Sequence, residues 1–384
     1  MKICVLTGSR AEYGLLKNLM KIMLKDSKIQ LNIISTGTHE SEEYGLTRKF
    51  ILDDGFEISR SIQTILPENT NSSIAKSTGN GIILYSEALE DIKPDYLLIL
   101  GDRFEVLAAA IAALFQKIPI IHLHGGELTL GAFDDAIRHS VSKMSNIHFV
   151  ANSVYEKRLI KMGEDPKLIY NFGGLGVDAI LRIKIKDKKY LENKLKLKFS
   201  DKNILVTYHP ATLEENNLKD LNELIDFLKE ISSSGNSSVF ITAANADTSG
   251  REINKRMKNL AQKNKKIFFK VSLGNENYIS LMSHCNVVIG NSSSGLLEAP
   301  TLKIPTINIG SRQEGRLRAK SVIDVKSRRV EILKAYKKSQ SEEFQKILQN
   351  VKNPYGTSKN SERILNTIKK IGKLKSTKKY FYES

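Results

Sequence analysis

Ionisable side chains gather between residues 122 and 139, where His122, His124, Glu127, Asp134, Asp135, Arg138 and His139 follow the apolar run 118–123. Carboxylates and imidazoles grouped at a strand end point to acid–base chemistry, because neighbours can move their pKa values into the working range. Gly101-Asp102-Arg103 places a carboxylate and a cation at the end of the preceding apolar run, 96–100, and Tyr208-His209-Pro210 places a histidine after a third, 203–207. A metal is not expected. His122 and His124 share one strand face but lack a Cys or Asp at matching ligand spacing. Asp134 and Arg138 stand four apart and read equally well as a helix-surface pair.

A different chemistry is written at 290–298. Val287-Val-Ile is followed by Gly290-Asn-Ser-Ser-Ser-Gly295, then by Leu296, Leu297 and Glu298. A glycine and serine turn at a helix start leaves amides and hydroxyls to hold an anion, helped by the helix dipole. Phosphate is such an anion, and Glu298, one turn further in, can accept hydrogen bonds from a ribose diol. The same serines also read as an ordinary N-cap. Arg10, in the turn Gly8-Ser9-Arg10, is a second candidate for phosphate. His39, in Gly37-Thr38-His39, is a candidate ligand contact or simply a solvated loop histidine.

These residues need elements to position them. Residues 95–127 run strand, Gly-polar turn, Ala-rich helix and then Lys117-Ile-Pro-Ile-Ile-His; residues 287–310 repeat the plan and end in Lys303-Ile-Pro-Thr-Ile-Asn. Two such units imply an α/β chain of two Rossmann-like doubly wound domains, each with its loop crest at the strand C-termini, where ligands bind. The expected division is 1–175 and 176–384, with a linker at Gly173-Gly174-Leu175-Gly176, the last helices packing back on the first domain and the active site in the cleft between. A G-x-G-x-x-G opening a helix is absent. Helices are expected at 71–92, 104–115, 153–162 and 181–199, and a last one from the Asn353-Pro-Tyr-Gly356 turn to about Ile371, with a frayed tail beyond it.

Composition narrows the class. The chain has 384 residues, 41% hydrophobic and 26% charged, enough for two sizeable cores. No apolar run reaches the roughly 20 residues of a membrane span. The chain opens directly on a strand, with no leader pattern, and Cys4 and Cys285 lie alone in apolar runs. A cytoplasmic protein without membrane partners is expected. The net charge of +17 raises nucleic-acid binding, but a basic stripe with interleaved aromatics is lacking, so the charge reads as a lysine-rich surface.

In order, the motifs are Gly8-Ser-Arg-Ala-Glu-Tyr-Gly14, Gly101-Asp-Arg103, His122-Leu-His-Gly-Gly-Glu127, Asp134-Asp-Ala-Ile-Arg-His139, Gly290-Asn-Ser-Ser-Ser-Gly295 with Glu298, and Gly310-Ser-Arg-Gln-Glu-Gly-Arg316. The set resembles the hydrolysing UDP-N-acetylglucosamine 2-epimerases, especially the branch serving sialic and legionaminic acid synthesis. The resemblance implies the two-domain GT-B architecture and a cofactor-free reaction. A nucleotide-diphospho 2-acetamido sugar loses its nucleotide by elimination across C1 and C2, and water adds back with inversion at C2. By position, Asp102, Asp134 and His209 match catalytic residues. Arg10, Asn245, Ser292, Ser293, Glu298 and Arg312 match nucleotide-binding positions, with His39, Arg103 and Ser272 (in the 270–273 base pocket) as further contacts. Several relatives carry a catalytic Glu where this chain has His124, so the C2 base is His124 or Glu127, and a role shared by the two is expected.

The resemblance favours UDP- or GDP-linked N,N′-diacetylbacillosamine, yielding 2,4-diacetamido-2,4,6-trideoxymannose. UDP-N-acetylglucosamine, yielding N-acetylmannosamine, is the alternative, and a homo-oligomer (dimer or tetramer) is expected. Competing readings are a GT-B glycosyltransferase, which has no C2 proton to remove, and a basic RNA-binding protein.

Overall fold

The computed structural model describes residues 1–42, 45–66, 71–128, 134–209, 217–233, 236–244, 250–356 and 358–383. The chain forms two compact units, one of Met1–Ala179 with Tyr355–Ser384 and one of Ile180–Pro354. Strands of the first are β1 (Lys2–Thr7), β2 (Gln30–Thr36), β3 (Arg60–Ile62), β4 (Tyr96–Leu100), β5 (Ile120–Leu123), β6 (Ile147–Val150) and β7 (Ile169–Asn171). The second holds β8 (Lys202–Thr207), β9 (Ser237–Thr242), β10 (Ile267–Lys270), β11 (Val287–Gly290), β12 (Thr306–Ile309) and β13 (Val322–Val325). The helices are α1 (Arg10–Lys25), α2 (Lys49–Asp53), α3 (Asn71–Ile92), α4 (Phe104–Phe115), α5 (Asp134–Met144), α6 (Ser153–Lys161), α7 (Leu175–Arg182), α8 (Lys188–Leu195), α9 (Asn217–Ser233), α10 (Gly250–Lys263), α11 (Asn275–Ser283), α12 (Ser294–Leu297), α13 (Arg329–Ser339), α14 (Glu342–Gln349) and α15 (Asn360–Ile371).

The sheet orders are β3-β2-β1-β4-β5-β6-β7 and β10-β9-β8-β11-β12-β13, and every strand pairing is parallel. Helices cover both faces of a parallel sheet, so its strands are apolar on both sides. Tyr96–Leu100 is buried throughout for that reason. The α4 sequence FEVLAAAIAALF is rich in alanine, which lets the helix lie close on strand and neighbour; a Cβ at Gly81 of α3 would touch the Ala108 methyl at 3.1 Å. Each sheet reverses direction beside its first strand, at β1/β4 and at β8/β11, and the crest loops open at those switch points. Twin doubly wound units are thus observed as the sequence predicts.

The first unit is closed by the chain's return. Gly173 (φ +91) and Gly356 (φ +113) form a bridge so close that a Cβ on Gly173 would lie 2.7 Å from the Gly356 Cα. Buried Asp178 then accepts bonds from the Lys359 and Ser361 amides and the Ser361 hydroxyl, fixing the start of α15. Helix α15 packs its Ile364, Leu365 and Ile368 into the core that α1 shares.

The tail beyond α15 is not frayed, which corrects the sequence expectation. Lys379 reaches the carbonyls of Lys143 and Ser145 at the C-terminus of α5, and its ammonium lies 2.6 Å from Glu164. Thr377 accepts from Asn146, Tyr382 donates to the Gly163 carbonyl, and the Phe381 ring covers Gly163. Glu164, 1% exposed, also meets Lys143 at 2.8 Å and His148 at 2.9 Å. A lysine anchor that caps a helix and neutralises a buried carboxylate outweighs terminal chain entropy.

Burial alone would raise the Glu164 pKa, but hydrogen bonds from His148, Lys143 and Lys379 prevail and hold it at about 2, below the ordinary 4.5. Its stabilisation is therefore fully present above the ordinary value and is lost as pH falls toward about 2. Urea unfolding between pH 6 and 3 (about one unit per step) should show a stability loss that Glu164→Gln largely abolishes. Equal pH slopes for the two proteins would refute it.

Candidate functional site

On the first unit's crest, His124 leaves β5 with φ +63, a left-handed backbone that non-glycine residues seldom adopt. The twist turns its ring so that Nδ1 lies 3.0 Å from Glu127 Oε1, while Nε2 accepts a bond from the Leu175 amide at 3.2 Å. An Nε2 that accepts cannot carry the proton, so Nδ1 carries it and donates to Glu127. The imidazole lone pair is thereby occupied. His124 orients the Glu127 carboxylate, which sits half-buried beyond two glycines; Gly126 (φ +74) is pressed against the Tyr155 carbonyl, where a Cβ would come within 2.6 Å.

Asp102 follows Gly101, whose φ of +83 marks the crest turn of β4. Its carboxylate is ion-paired with Arg138, a buried guanidinium of α5 that also lies 3.9 Å from Asp135. Arg138 thus binds back to the crest and not, as the i, i+4 spacing suggests, to Asp134. Asp134 opens α5, where burial raises its pKa against the opposing pull of its own amide and Arg103. The two carboxyls therefore have different environments, one paired with a cation and one whose pKa burial raises. His122 lies beneath them, fully buried, with Nε2 2.9 Å from the Gly101 carbonyl and Nδ1 3.1 Å from Ser142. Burial pushes its pKa down to about 3, so it is a neutral strut under the crest. His139 is lowered by burial as well and stands 3.5 Å from Asp135.

Arg10 is exposed at the start of α1, with its guanidinium 5.6 Å from the Phe50 ring centre. Arg103 makes two bonds to Glu105. His39 requires a correction. It is 0% exposed, with Nε2 3.1 Å from the Thr7 hydroxyl and Nδ1 2.8 Å from that of Thr47. Neither a ligand contact nor solvent is available to it; it ties β1 to the loop after β2.

On the second unit's crest the organising residue is Asn291, which sequence reasoning did not single out. Its side chain accepts from the His209 amide at 2.7 Å and donates to the His209 carbonyl at 2.8 Å. Its own carbonyl accepts from Arg312 at 3.2 Å and from Gln313 at 2.8 Å. The crests after β8, β11 and β12 are joined in this way. The signal was its place directly after Gly290 in the Gly-Ser turn.

Ser292 and Ser293 lie half-buried in that turn. Ser292 accepts from the Ser294 hydroxyl at 3.2 Å, and Ser294 is held by Tyr278 at 2.7 Å. Ser293 occupies the N-cap position of α12 but makes no capping bond, so its hydroxyl is not spent on the helix. Glu298 closes α12, half-buried, with no side-chain partner among the described residues; burial pushes its pKa up to about 7. A carboxylate desolvated without a partner is costly, and hydroxyl donors from a ligand would offset that cost. Ser272 is exposed, its hydroxyl 3.4 Å from the Gly274 amide. Asn245 lies outside the described residues. Among the described residues no cluster of His, Cys, Asp and Glu has the arrangement of a metal site, and no helix is long and apolar enough to cross a membrane.

Residues 21–369 match the model of the UDP-N-acetylglucosamine 2-epimerase family. The chain is 44% identical over 346 residues to a GDP/UDP-N,N′-diacetylbacillosamine 2-epimerase (hydrolyzing) of Campylobacter jejuni, covering 89% of this chain and 88% of that protein. It is 35% identical to a UDP-N,N′-diacetylbacillosamine 2-epimerase (hydrolyzing) of Legionella pneumophila, covering 96% of each. A crystal structure of a UDP-GlcNAc 2-epimerase from Neisseria meningitidis, bound to UDP-GlcNAc, superposes with a TM-score of 0.78 at 22% identity, over 96% of this chain and 100% of that one. The fold and the whole-length similarity agree, and the chain belongs to the UDP-N-acetylglucosamine 2-epimerase family.

Proposed function

We propose that this protein is a hydrolysing 2-epimerase that converts UDP- or GDP-N,N′-diacetylbacillosamine to 2,4-diacetamido-2,4,6-trideoxymannose and nucleoside diphosphate, a step toward legionaminic acid. The observation that carries the reaction class is the proton-transfer set of the first unit's crest, Asp102, His124–Glu127 and Asp134. A glycosyltransferase has no C2 proton to remove and no use for it. The substrate follows from the similarity to the Campylobacter and Legionella enzymes.

Each crest is assigned its own roles. Glu127, aimed by the Nδ1–H of His124, takes the C2 proton. The C1–oxygen bond breaks with its electron pair leaving on the diphosphate, and a C1–C2 double bond forms. Asp134, whose pKa burial raises, donates the proton that C2 receives on the opposite face. A water adds its hydroxyl to C1, its proton passing to the Asp102 carboxylate, which Arg138 holds in place. The sugar is released and the nucleotide dissociates. On the second unit Ser292, Ser293 and Arg312 hold the diphosphate, Glu298 holds the ribose, and His209, locked by Asn291, faces the leaving group. Arg10, Arg103, Ser272 and Asn245 complete the binding set. A homo-oligomer in the cytoplasm completes this reading.

Product formed in deuterated water should carry deuterium at C2, read by proton NMR with UDP- and GDP-diacetylbacillosamine and UDP-N-acetylglucosamine in parallel. Turnover of UDP-N-acetylglucosamine alone would move the assignment to N-acetylmannosamine synthesis, and full turnover with protium retained at C2 would refute solvent-derived addition.

Glu127→Gln should lower kcat by roughly 10²-fold or more, the scale of general-base catalysis. His124→Asn, which keeps a donor at the Nδ1 position and tolerates a left-handed backbone, should retain far more activity than His124→Leu. An active Glu127→Gln beside a dead His124→Asn would reverse the two roles.

Glu298 yields a pH prediction for binding. Its pKa in the free protein is about 7, and diol donors favour the charged form. UDP affinity should therefore rise as pH is raised through about 7, with proton release on binding, and Glu298→Gln should remove that dependence. Calorimetry in buffers of different ionisation enthalpy decides; a pH-independent affinity in the wild type contradicts the ribose contact.

A further inference from the structure

Three crest loops of the first unit converge on a carboxylate that none of the steps above uses. Glu105, in the first turn of α4, has a side chain with 0% exposure. Gly37 (φ +59) abuts it so tightly that a Cβ there would lie 2.6 Å from Glu105 Oε1 and 2.6 Å from the Gly8 carbonyl. Gly8 packs on the Glu105 carboxyl carbon, and its carbonyl accepts from the Thr38 amide and hydroxyl. The loops after β1 and β2 are therefore shaped around this one group. A buried carboxylate without a cation is strongly unfavourable. Here the cation is Arg103, which donates from Nε to Oε2 at 3.1 Å and from Nη2 to Oε1 at 2.8 Å.

The pair is asymmetric. Glu105 is sealed, while Arg103 keeps 37% of its side chain exposed and rests its guanidinium 5.6 Å from the Phe104 ring centre. Paired bonds along one edge, together with a ring on its face, fix the guanidinium plane, and the remaining N–H donors have no protein acceptor among the described residues. Arg103 is also close enough to lower the pKa of Asp134 and of Glu12. Glu12 accepts from the Gly8 amide at 2.6 Å, and burial, against that bond and Arg103, pushes its pKa up to about 7.

We infer that Glu105 is a positioning residue for the reaction, holding the Arg103 guanidinium in the one orientation in which it receives an anionic group of the substrate beside Asp134. Resting on the functional reading above, this assigns Glu105 a role through Arg103 and no contact with substrate. A lysine at 103 would keep the charge but could not accept the two-point fixation.

The test is a double-mutant cycle on nucleotide release from whichever nucleotide sugar the wild type turns over, with melting temperature measured on every variant. Glu105→Gln and Arg103→Lys should each lower kcat/KM on the order of 10²-fold, the cost of a misplaced reacting group. In the Arg103→Met background Glu105→Gln should have no further effect, because its only route to the substrate is gone. Additive losses, or a loss that tracks a fall in melting temperature, would overturn the proposal while leaving the epimerase reading intact. If Glu105→Gln fails to fold, Arg103→Lys decides alone, and full activity in that variant overturns the proposal. A wild type that releases nucleotide from none of the three sugars sinks the functional reading, and this inference with it.

Discussion

A Cβ on Gly290 would sit 2.0 Å from the carbonyl oxygen of Thr207, closer than any side chain permits. That contact lets the β11 turn lie directly on the end of β8. Because the backbones touch, the Asn291 side chain can span both the amide and the carbonyl of His209, and its own carbonyl can gather Arg312 and Gln313. Remove the close approach and each of these bonds loses its geometry at once. The first unit uses the same device at Gly37, which presses on Gly8 and on Glu105. In both units the chemistry-bearing side chains stand on rigid strand ends, and glycine is the residue that lets the ends meet.

Burial then sorts the carboxyls. Glu298 and Glu12 are desolvated with too few compensating donors, and each is pushed up to about 7. Asp134 is raised for the same reason, while Glu164, also buried but met by His148 and two lysines, is held at about 2. Sequence neighbours do not decide which outcome a residue meets. What decides is whether the fold brings a cation from far along the chain, as it brings Lys379 to Glu164. Carboxyls near neutrality are suited to exchanging protons or awaiting a ligand; the strongly lowered one is a structural anchor.

This explains what could be read without coordinates. The strands 96–100 and 287–290 and the helices 71–92 and 104–115 announce themselves, since strands buried on both faces and an alanine-rich helix have few other ways to look. The twin switch points follow from their repetition. The three-residue edge strands β3 and β7, by contrast, carry no periodicity to detect. The tail has the composition of a frayed end, and only the buried partner of Lys379, Glu164, far away in sequence, reveals the anchor. His39 likewise looks like a crest histidine. Its burial depends on Thr7 and Thr47 arriving from separate segments. Asn291 and Glu105 escaped notice for the converse reason, their importance lying in backbone groups and a distant glycine.

The departure at His124 is the most instructive case. The resemblance implies a catalytic glutamate at this position, and a histidine there invites the idea of a simple exchange of one base for another. The backbone argues otherwise. A left-handed φ at 124 turns the ring toward Glu127, and the amide that opens α7 occupies Nε2. An imidazole engaged at both nitrogens can neither take a proton at Nε2 without breaking the Leu175 bond nor lose the one on Nδ1 without abandoning Glu127. Its low-cost role is orientation, much as a carboxylate orients a catalytic histidine with the partners reversed. On the proposed reading the base is then Glu127, three residues further along the loop, and His124 is the residue that aims it.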